Sequence, residues 1–300
     1  MKSNARTGGN LFNIINGTVL ILLCVSIVIP FYFVFTGTLV TEKEYLNSNG
    51  FVLWPQDITF DAYRMFFRDT FGVLNGYIIS ILRVVIGTSL NILFTSCLAY
   101  VLSKKWLPGR NAIMTMVFIT MNFGGGLIPS FVLNKTLGLY NTFFVMVIPG
   151  LIGSFFMVIL RNFFSQVPLE LEESARMDGA GELTIMFRVI MPLSLASIAT
   201  ISLFYAVGHW NAWFDASIYL IDNKLYPLQL ILRKIVVRSD FTVENPQLAG
   251  VSAFAELLKK PSSYAVKNTA IFFTTLPILC VYPFAQKYFV KGVLTGSIKG

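Results

Sequence analysis

The stretch VPLELEESARMDGAGELTIMFRVIMP, Val167 to Pro192, breaks the character of the chain around it. It gathers Glu170, Glu172, Glu173, Arg176, Asp178, Glu182 and Arg188 into a sequence that is otherwise mostly apolar. Pro168 suits a first helical turn, where its missing N–H costs little. Glu170, Glu172 and Glu173 then fall near the positive end of the helix dipole. That helix is predicted to run through Met177 or Asp178. Gly179 supplies a bend that a Cβ would hinder, and Ala180 and Gly181 leave room for a close contact. A second helix, Glu182–Met191, is predicted to carry Leu183, Met186, Phe187 and Ile190 on one face and to end at Pro192. No nucleophile, histidine or metal-ligand spacing accompanies the carboxylates, so the segment is not catalytic in composition. Two readings stand: a solvated loop helix, or a docking element for another protein.

The surroundings of this segment decide the fold class. The chain of 300 residues is 55% hydrophobic and 13% charged, with mean hydropathy +0.69. A soluble domain is about 25% charged, so this composition points to a polytopic membrane protein. Runs free of Asp, Glu, Lys and Arg cover Thr7–Thr41, Val84–Ser103, Asn111–Asn134, Thr136–Leu160, Val189–Phe214 and Asn268–Gln286. About 20 apolar residues cross a bilayer core. The prediction is an all-α fold of one transmembrane domain, residues 1–300, with six transmembrane helices near 11–36, 72–103, 111–130, 140–162, 193–220 and 268–290. The loop 163–192 lies between spans four and five, and a long loop, 222–267, between spans five and six. The first run is too long for the apolar core of a signal peptide and is read as a retained span. Cys24, Cys97 and Cys280 lie in apolar runs without paired spacing, and the single histidine excludes a histidine-based metal site. The net charge of +8 belongs to the flanks of membrane spans facing lipid headgroups rather than to nucleic-acid binding.

Six spans place both termini on one side. Basic residues tie across the two sides; the dense loop Lys104–Arg110, KKWLPGR, breaks the tie toward cytoplasmic termini. Two connections carry patterns of their own. Phe60, Tyr63, Phe67 and Phe71 form a stripe that fits either an interfacial helix or an extension of the second span. Leu228, Ile231, Leu232 and Ile235, beside Arg233, Lys234 and Arg238, form an amphipathic helix that either skims the membrane or docks an external partner.

The opening stretch resembles the cytoplasmic loop of bacterial ABC import permeases. That loop reads Glu-Ala-Ala, three residues, Gly, nine residues, then Ile-x-Leu-Pro. Here it is Glu173-Ser174-Ala175, Arg176–Asp178, Gly179, Ala180–Arg188 and Val189-Ile190-Met191-Pro192. Ser174 replaces Ala, Val189 replaces Ile and Met191 replaces Leu, with spacing intact. Phe123–Gly150 and Tyr226–Ile235 are similar to the carbohydrate-uptake branch, especially its oligosaccharide permeases. The resemblance implies the type I ABC importer permease fold in the bacterial cytoplasmic membrane, with both termini and this loop cytoplasmic. It implies a second permease subunit, a different but homologous chain, together with an ATPase dimer and an external solute-binding protein that delivers an oligosaccharide. Glu173, Ser174, Ala175, Gly179, Ala180 and Pro192 are then expected to make the ATPase-coupling contact. The chain has no G-x-x-x-x-G-K-[ST] phosphate loop. ATP and Mg are therefore expected on the partner ATPase, and no cofactor or catalytic residue on this chain.

Polar groups within spans are suspects for the substrate path. Asn122, His209, Trp210, Asn211, Trp213 and Asp215 combine aromatic faces with hydrogen-bonding groups, as sugar binding requires. An outer aromatic belt with polar helix contacts is the competing reading. Arg83, Asn91 and Asn75 are weaker suspects. Arg83 fits an acidic sugar, snorkelling to the interface, or pairing with a helix carbonyl. Permeation of another solute (amino acid, peptide or phosphate) and secondary transport are the alternative functions. The second would call for acidic relays or paired broken helices, and the sequence pattern shows neither.

Overall fold

The computed structural model describes residues 4–68, 72–244 and 263–297 of the chain. All regular structure among them is helical. Among the described residues three unbroken helices are long and apolar enough to cross a bilayer: α1 (Asn4–Gly37), α4 (Val73–Ser103) and α13 (Ser263–Ser297). They match the first, second and sixth expected spans. Between α1 and α4 lie two short helices, α2 (Glu42–Asn47) and α3 (Asp61–Phe67).

The three expected spans between α4 and the long loop are each broken. The span expected at 111–130 is α5 (Arg110–Asn122) and α6 (Leu127–Thr136), bent by 116°. The bend occupies Phe123-Gly124-Gly125-Gly126, and Gly126 has φ +83°, which L side chains rarely adopt. The span expected at 140–162 is a 3₁₀ stretch, Phe143–Gly150, followed by α7 (Ser154–Phe164) at 52°. Pro149 cannot donate in the helix, and Gly150 and Gly153 leave the backbone free to turn. The span expected at 193–220 is α10 (Leu195–Asn211) and α11 (Phe214–Tyr219), interrupted at Ala212. Broken helices therefore are present, against the sequence expectation. Irregular backbone is tolerable at membrane depth where protein side chains satisfy it.

Contacts divide the chain into two units, Met1–Phe71 with Leu232–Leu276, and Gly72–Ile231 with Pro277–Gly300. In the first, Phe35 lies against Phe272, while Tyr63, Phe66 and Phe67 surround Phe273 of α13. Of the predicted stripe, Phe60 and Phe67 are exposed and Tyr63 is half-buried, sharing a hydrogen bond with Thr38, while the buried face of α3 is Ala62, Met65 and Phe66. Phe71 lies outside the described residues.

In the second unit α4 is the axis, packed on α7 and α10. Their core joins Ala99, Leu102, Met157, Leu160, Phe164, Ile198, Ile201 and Tyr205. A second cluster holds Ile79, Val145, Met146, Ala216, Tyr219 and Leu230. The amphipathic helix of the long loop is α12 (Leu228–Glu244). Leu228 and Ile231 at its start are buried against α4, where Gly76 admits Ile231 and Ser80 accepts the Leu228 N–H. That part of its apolar face covers the protein itself, neither skimming lipid nor awaiting an external partner. Residues 245–262 of the loop lie outside the described residues.

Candidate functional site

The segment between α7 and α10 folds as helix, glycine, helix. Its first helix, α8 (Leu169–Met177), follows Pro168 and ends in a left-handed cap. Gly179 has φ +83°; its N–H donates to the Arg176 carbonyl, and the Ala180 N–H to that of Ala175. This is the Schellman arrangement, which occupies carbonyls left open at a helix end and brings Ala175 and Ala180 together. Both alanines are half-buried against the core. The pattern Ala175-x-x-x-Gly179-Ala180 is thus first a helix stop, with glycine where φ is positive.

The second helix, α9 (Glu182–Leu193), contains a π-helical stretch, Met186–Ile190, and bends by 86° into α10 at Ser194. The bend therefore falls after Pro192, which sits inside the last turn rather than ending the segment. The buried face is Ile185, Met186 and Ile190; Leu183 and Phe187, expected on that face, are exposed at 70% and 45%. The wider π turn explains the change, because it moves the buried position from a spacing of four toward five.

Three of the segment's charges are internal joints. Glu172 is buried and paired with Lys104, itself buried at the end of α4. Arg176 lies 3.6 Å from Glu172 and 2.9 Å from Glu182. The Tyr100 hydroxyl donates to Glu182 at 2.5 Å, and the Lys104 ammonium stands 4.1 Å from the centre of the Tyr100 ring. Tyr100, Lys104, Glu172, Arg176 and Glu182 thus close a ring that ties both helices of the segment to one end of α4. The hydrogen bond from Tyr100, and then those from Arg176, hold the Glu182 carboxyl below its ordinary range. Sequence reasoning missed this ring. It counted Lys104 among loop charges that orient the chain, and Glu172 as a carboxylate favoured by the helix dipole. Arg110 also has a structural partner, donating to the Leu102 carbonyl.

With Glu172 buried and Arg176 and Glu182 tied to the ring, the outward surface is well defined. Glu173, Ser174, Gly179 and Pro192 are exposed, as are Met177 at 88% and Leu183. Of the six residues expected to couple, four are on the surface, and Ala175 and Ala180 support it from beneath. Among the described residues no cluster could hold a metal ion.

The suspects for a substrate path separate into different roles. Arg83 is buried in α4 and pairs bidentately with Asp215; it also donates to the carbonyls of Ala212 and Met146. Those carbonyls belong to the break after α10 and to the 3₁₀ stretch. Asn91 donates to the carbonyls of Gly150 and Leu151 and meets His209 at 2.6 Å. Tyr205 accepts the Gly153 N–H and shares a hydrogen bond with Thr95. These polar groups repair backbone freed where the fourth and fifth spans are broken. Asn75 similarly donates to the Lys224 carbonyl. Trp210 is buried and Trp213 half-buried against the second cluster. Asn211 is exposed, and Asn122, exposed at the end of α5, donates to Phe118 one turn earlier. The structure therefore does not gather the six suspects into one pocket: His209 and Asp215 are engaged with Asn91 and Arg83.

Comparison with known proteins gives a consistent result. Residues 13–295 match the family described as "Binding-protein-dependent transport system inner membrane component". Protein LplC of Bacillus subtilis is 40% identical over 91% of this chain and 90% of its own. The polygalacturonan/rhamnogalacturonan transport system permease protein YtcP of the same organism is 39% identical over 97% and 99%. A solved structure, a bacterial ABC transporter involved in the import of the acidic polysaccharide alginate, superposes with TM-score 0.82 at 30% identity. That match covers 96% of this chain and 99% of the other.

Proposed function

Because the chain belongs to the family of inner-membrane components of binding-protein-dependent transport systems, we propose that it is the permease subunit of an ATP-driven oligosaccharide importer, coupled to its ATPase through the segment Pro168–Pro192. The observation that carries this reading is the ring around Lys104 and Glu172. A solvated loop helix needs no buried ion pair. A segment that must transmit a push does, because a load on its outer face has to reach a span without being lost in bending. Glu173, Ser174, Gly179, Pro192 and the exposed Met177 and Leu183 form the contact face. ATP and Mg belong to the partner ATPase dimer. Its closure drives the segment, and with it the end of α4, between two packings of the membrane helices, one open to each side. A second, homologous permease completes the path, and an external binding protein delivers the cargo. Both termini lie in the cytoplasm, on the side of the coupling segment.

The cargo we favour is an acidic oligosaccharide. One relative is named for polygalacturonan and rhamnogalacturonan, and the solved neighbour for the acidic polysaccharide alginate. Arg83 is not its receptor, since it is taken up by Asp215 and two carbonyls. The path runs past Asn122, Asn211 and Trp213. His209, Trp210 and Asp215 shape it from within the wall.

The test is to purify the protein with whatever accompanies it and measure ATP hydrolysis in bilayers. The expected result is co-purification of a second permease and an ATPase, with hydrolysis stimulated by a binding protein loaded with an acidic oligosaccharide and less by a neutral one. Transport by the solitary chain without ATP would overturn the proposal. Stimulation by an amino acid, peptide or phosphate carrier alone would replace the cargo.

A further inference from the structure

The loop after α1 turns back along the helix instead of leaving it. The carbonyl of Val52 accepts from the Thr36 hydroxyl at 2.7 Å, and that of Leu53 from the Tyr32 hydroxyl. Phe51 packs edge-on to Phe33 at 5.3 Å. Tyr32 is five residues before the end of α1, so the loop reaches back about 8 Å along the helix at 1.5 Å per residue. The apolar part of α1, Phe12–Gly37, has 26 residues and is about 39 Å long, while a bilayer core is about 30 Å thick. With the core centred on that stretch, Leu53 stands about 4 Å inside the hydrocarbon boundary. At this height Phe51, Leu53 and Trp54 are 67%, 71% and 80% exposed, while Val52 between them is buried.

The geometry points to Phe51–Trp54 as a membrane anchor: an apolar edge that inserts into the interfacial layer of the phospholipid bilayer beside α1. Two independent observations carry it. The first is continuity with the span, none of whose most apolar stretch is buried in the protein. The second is the state of the backbone. Two successive carbonyls of an irregular loop are both satisfied by hydroxyls of the span; water would supply those bonds freely, whereas an apolar layer would not. Lys43, Asn47, Gln56 and Asp57 line a cleft together with Phe51, Leu53 and Trp54. Polar and apolar side chains therefore meet along this edge, as a layer between headgroups and acyl chains requires, and tryptophan is enriched there.

Quenching of Trp54 fluorescence tests this. The full chain and its Trp54→Phe variant are reconstituted in phosphatidylcholine bilayers, and the difference emission is assigned to Trp54. Lipids brominated high on the acyl chain should quench it more than lipids brominated near the chain end, and aqueous iodide should quench it least. The same order should appear for an environment-sensitive fluorophore on Leu53→Cys, measured against the labelled parent, which does not depend on the other tryptophans. Iodide quenching greater than lipid quenching at both positions would overturn the proposal and leave the edge facing water, where a soluble partner or a sugar could meet it. Protection from both quenchers would also overturn it, placing a protein partner over the edge.

Discussion

Helix α4 meets buried charge at two places, and it uses them differently. At its end, Lys104 and Tyr100 bind side chains of a loop segment, Glu172 and Glu182, and the backbone of that segment satisfies itself through the Schellman cap. In its middle, Arg83 and Asn91 bind chiefly backbone: the carbonyls of Ala212, Met146, Gly150 and Leu151. The first is a joint between two bodies. The second repairs helices that are broken inside the membrane. Charge in an apolar chain is not by itself a sign of a substrate site; what the charge binds decides its role.

The comparison can be broken most forcefully at Arg83. Arg83→Met removes a buried partner from Asp215 and strands two carbonyls. The expected loss is about 3–5 kcal/mol, the range for breaking one side of a buried pair, read as a lower unfolding midpoint and poor yield in membranes. A variant that is as stable as the parent and fails only with acidic cargo would return Arg83 to the substrate path. Lys104→Met leaves buried Glu172 with only Arg176, 3.6 Å away, as a partner, at a cost of up to about 3 kcal/mol. The double substitution Lys104→Met with Glu172→Leu should recover most of that stability but not tight coupling of ATP hydrolysis to uptake. Gly179→Ala meets open space but forces a Cβ into the left-handed region, at about 1–2 kcal/mol; Gly179→Asn should cost less. Gly179→Asp should still insert in the membrane while raising the ATP hydrolysed per molecule imported, and normal coupling there would remove Gly179 from the contact.

The smallest effect is one of pH. The folded Glu182 carboxyl titrates below its unfolded value. Its contribution is therefore complete above the unfolded pKa of about 4.3 and is lost as pH falls through the folded value. Because Glu182 is 49% exposed, screening keeps that contribution small. Comparing Glu182→Gln with the parent should show the two stabilities converging below about pH 4.

How far the sequence could be read follows from the same contrast. The helix stop at Gly179 was legible because a local cap needs only nearby residues, and the long apolar helices because composition alone sets them. The breaks were not legible. Phe123–Gly126 and Pro149–Gly153 keep a hydropathy window apolar while turning the backbone, and hydropathy carries no dihedral angles. Nor was the ring, because Lys104 and Glu172 are 68 positions apart and only the packing of α4 on α7 brings them together. The face of α9 was misassigned at Leu183 and Phe187 because helical periodicity assumes 3.6 residues per turn, which the π stretch does not keep. Arg83 shows the reverse: its pairing with helix carbonyls was one of the readings open in the sequence, and the structure chose it.

The central claim is that Lys104 and Glu172 join the coupling segment to α4, so that one cannot move without the other. The most direct measurement is the number of ATP molecules hydrolysed per oligosaccharide imported, in the reconstituted importer carrying Lys104→Glu, Glu172→Lys, or both. Each single reversal places like charges together and should raise that ratio several-fold with hydrolysis retained. The double reversal should bring it back toward the parent value. A parental ratio in both single variants, with uptake intact, would contradict the claim.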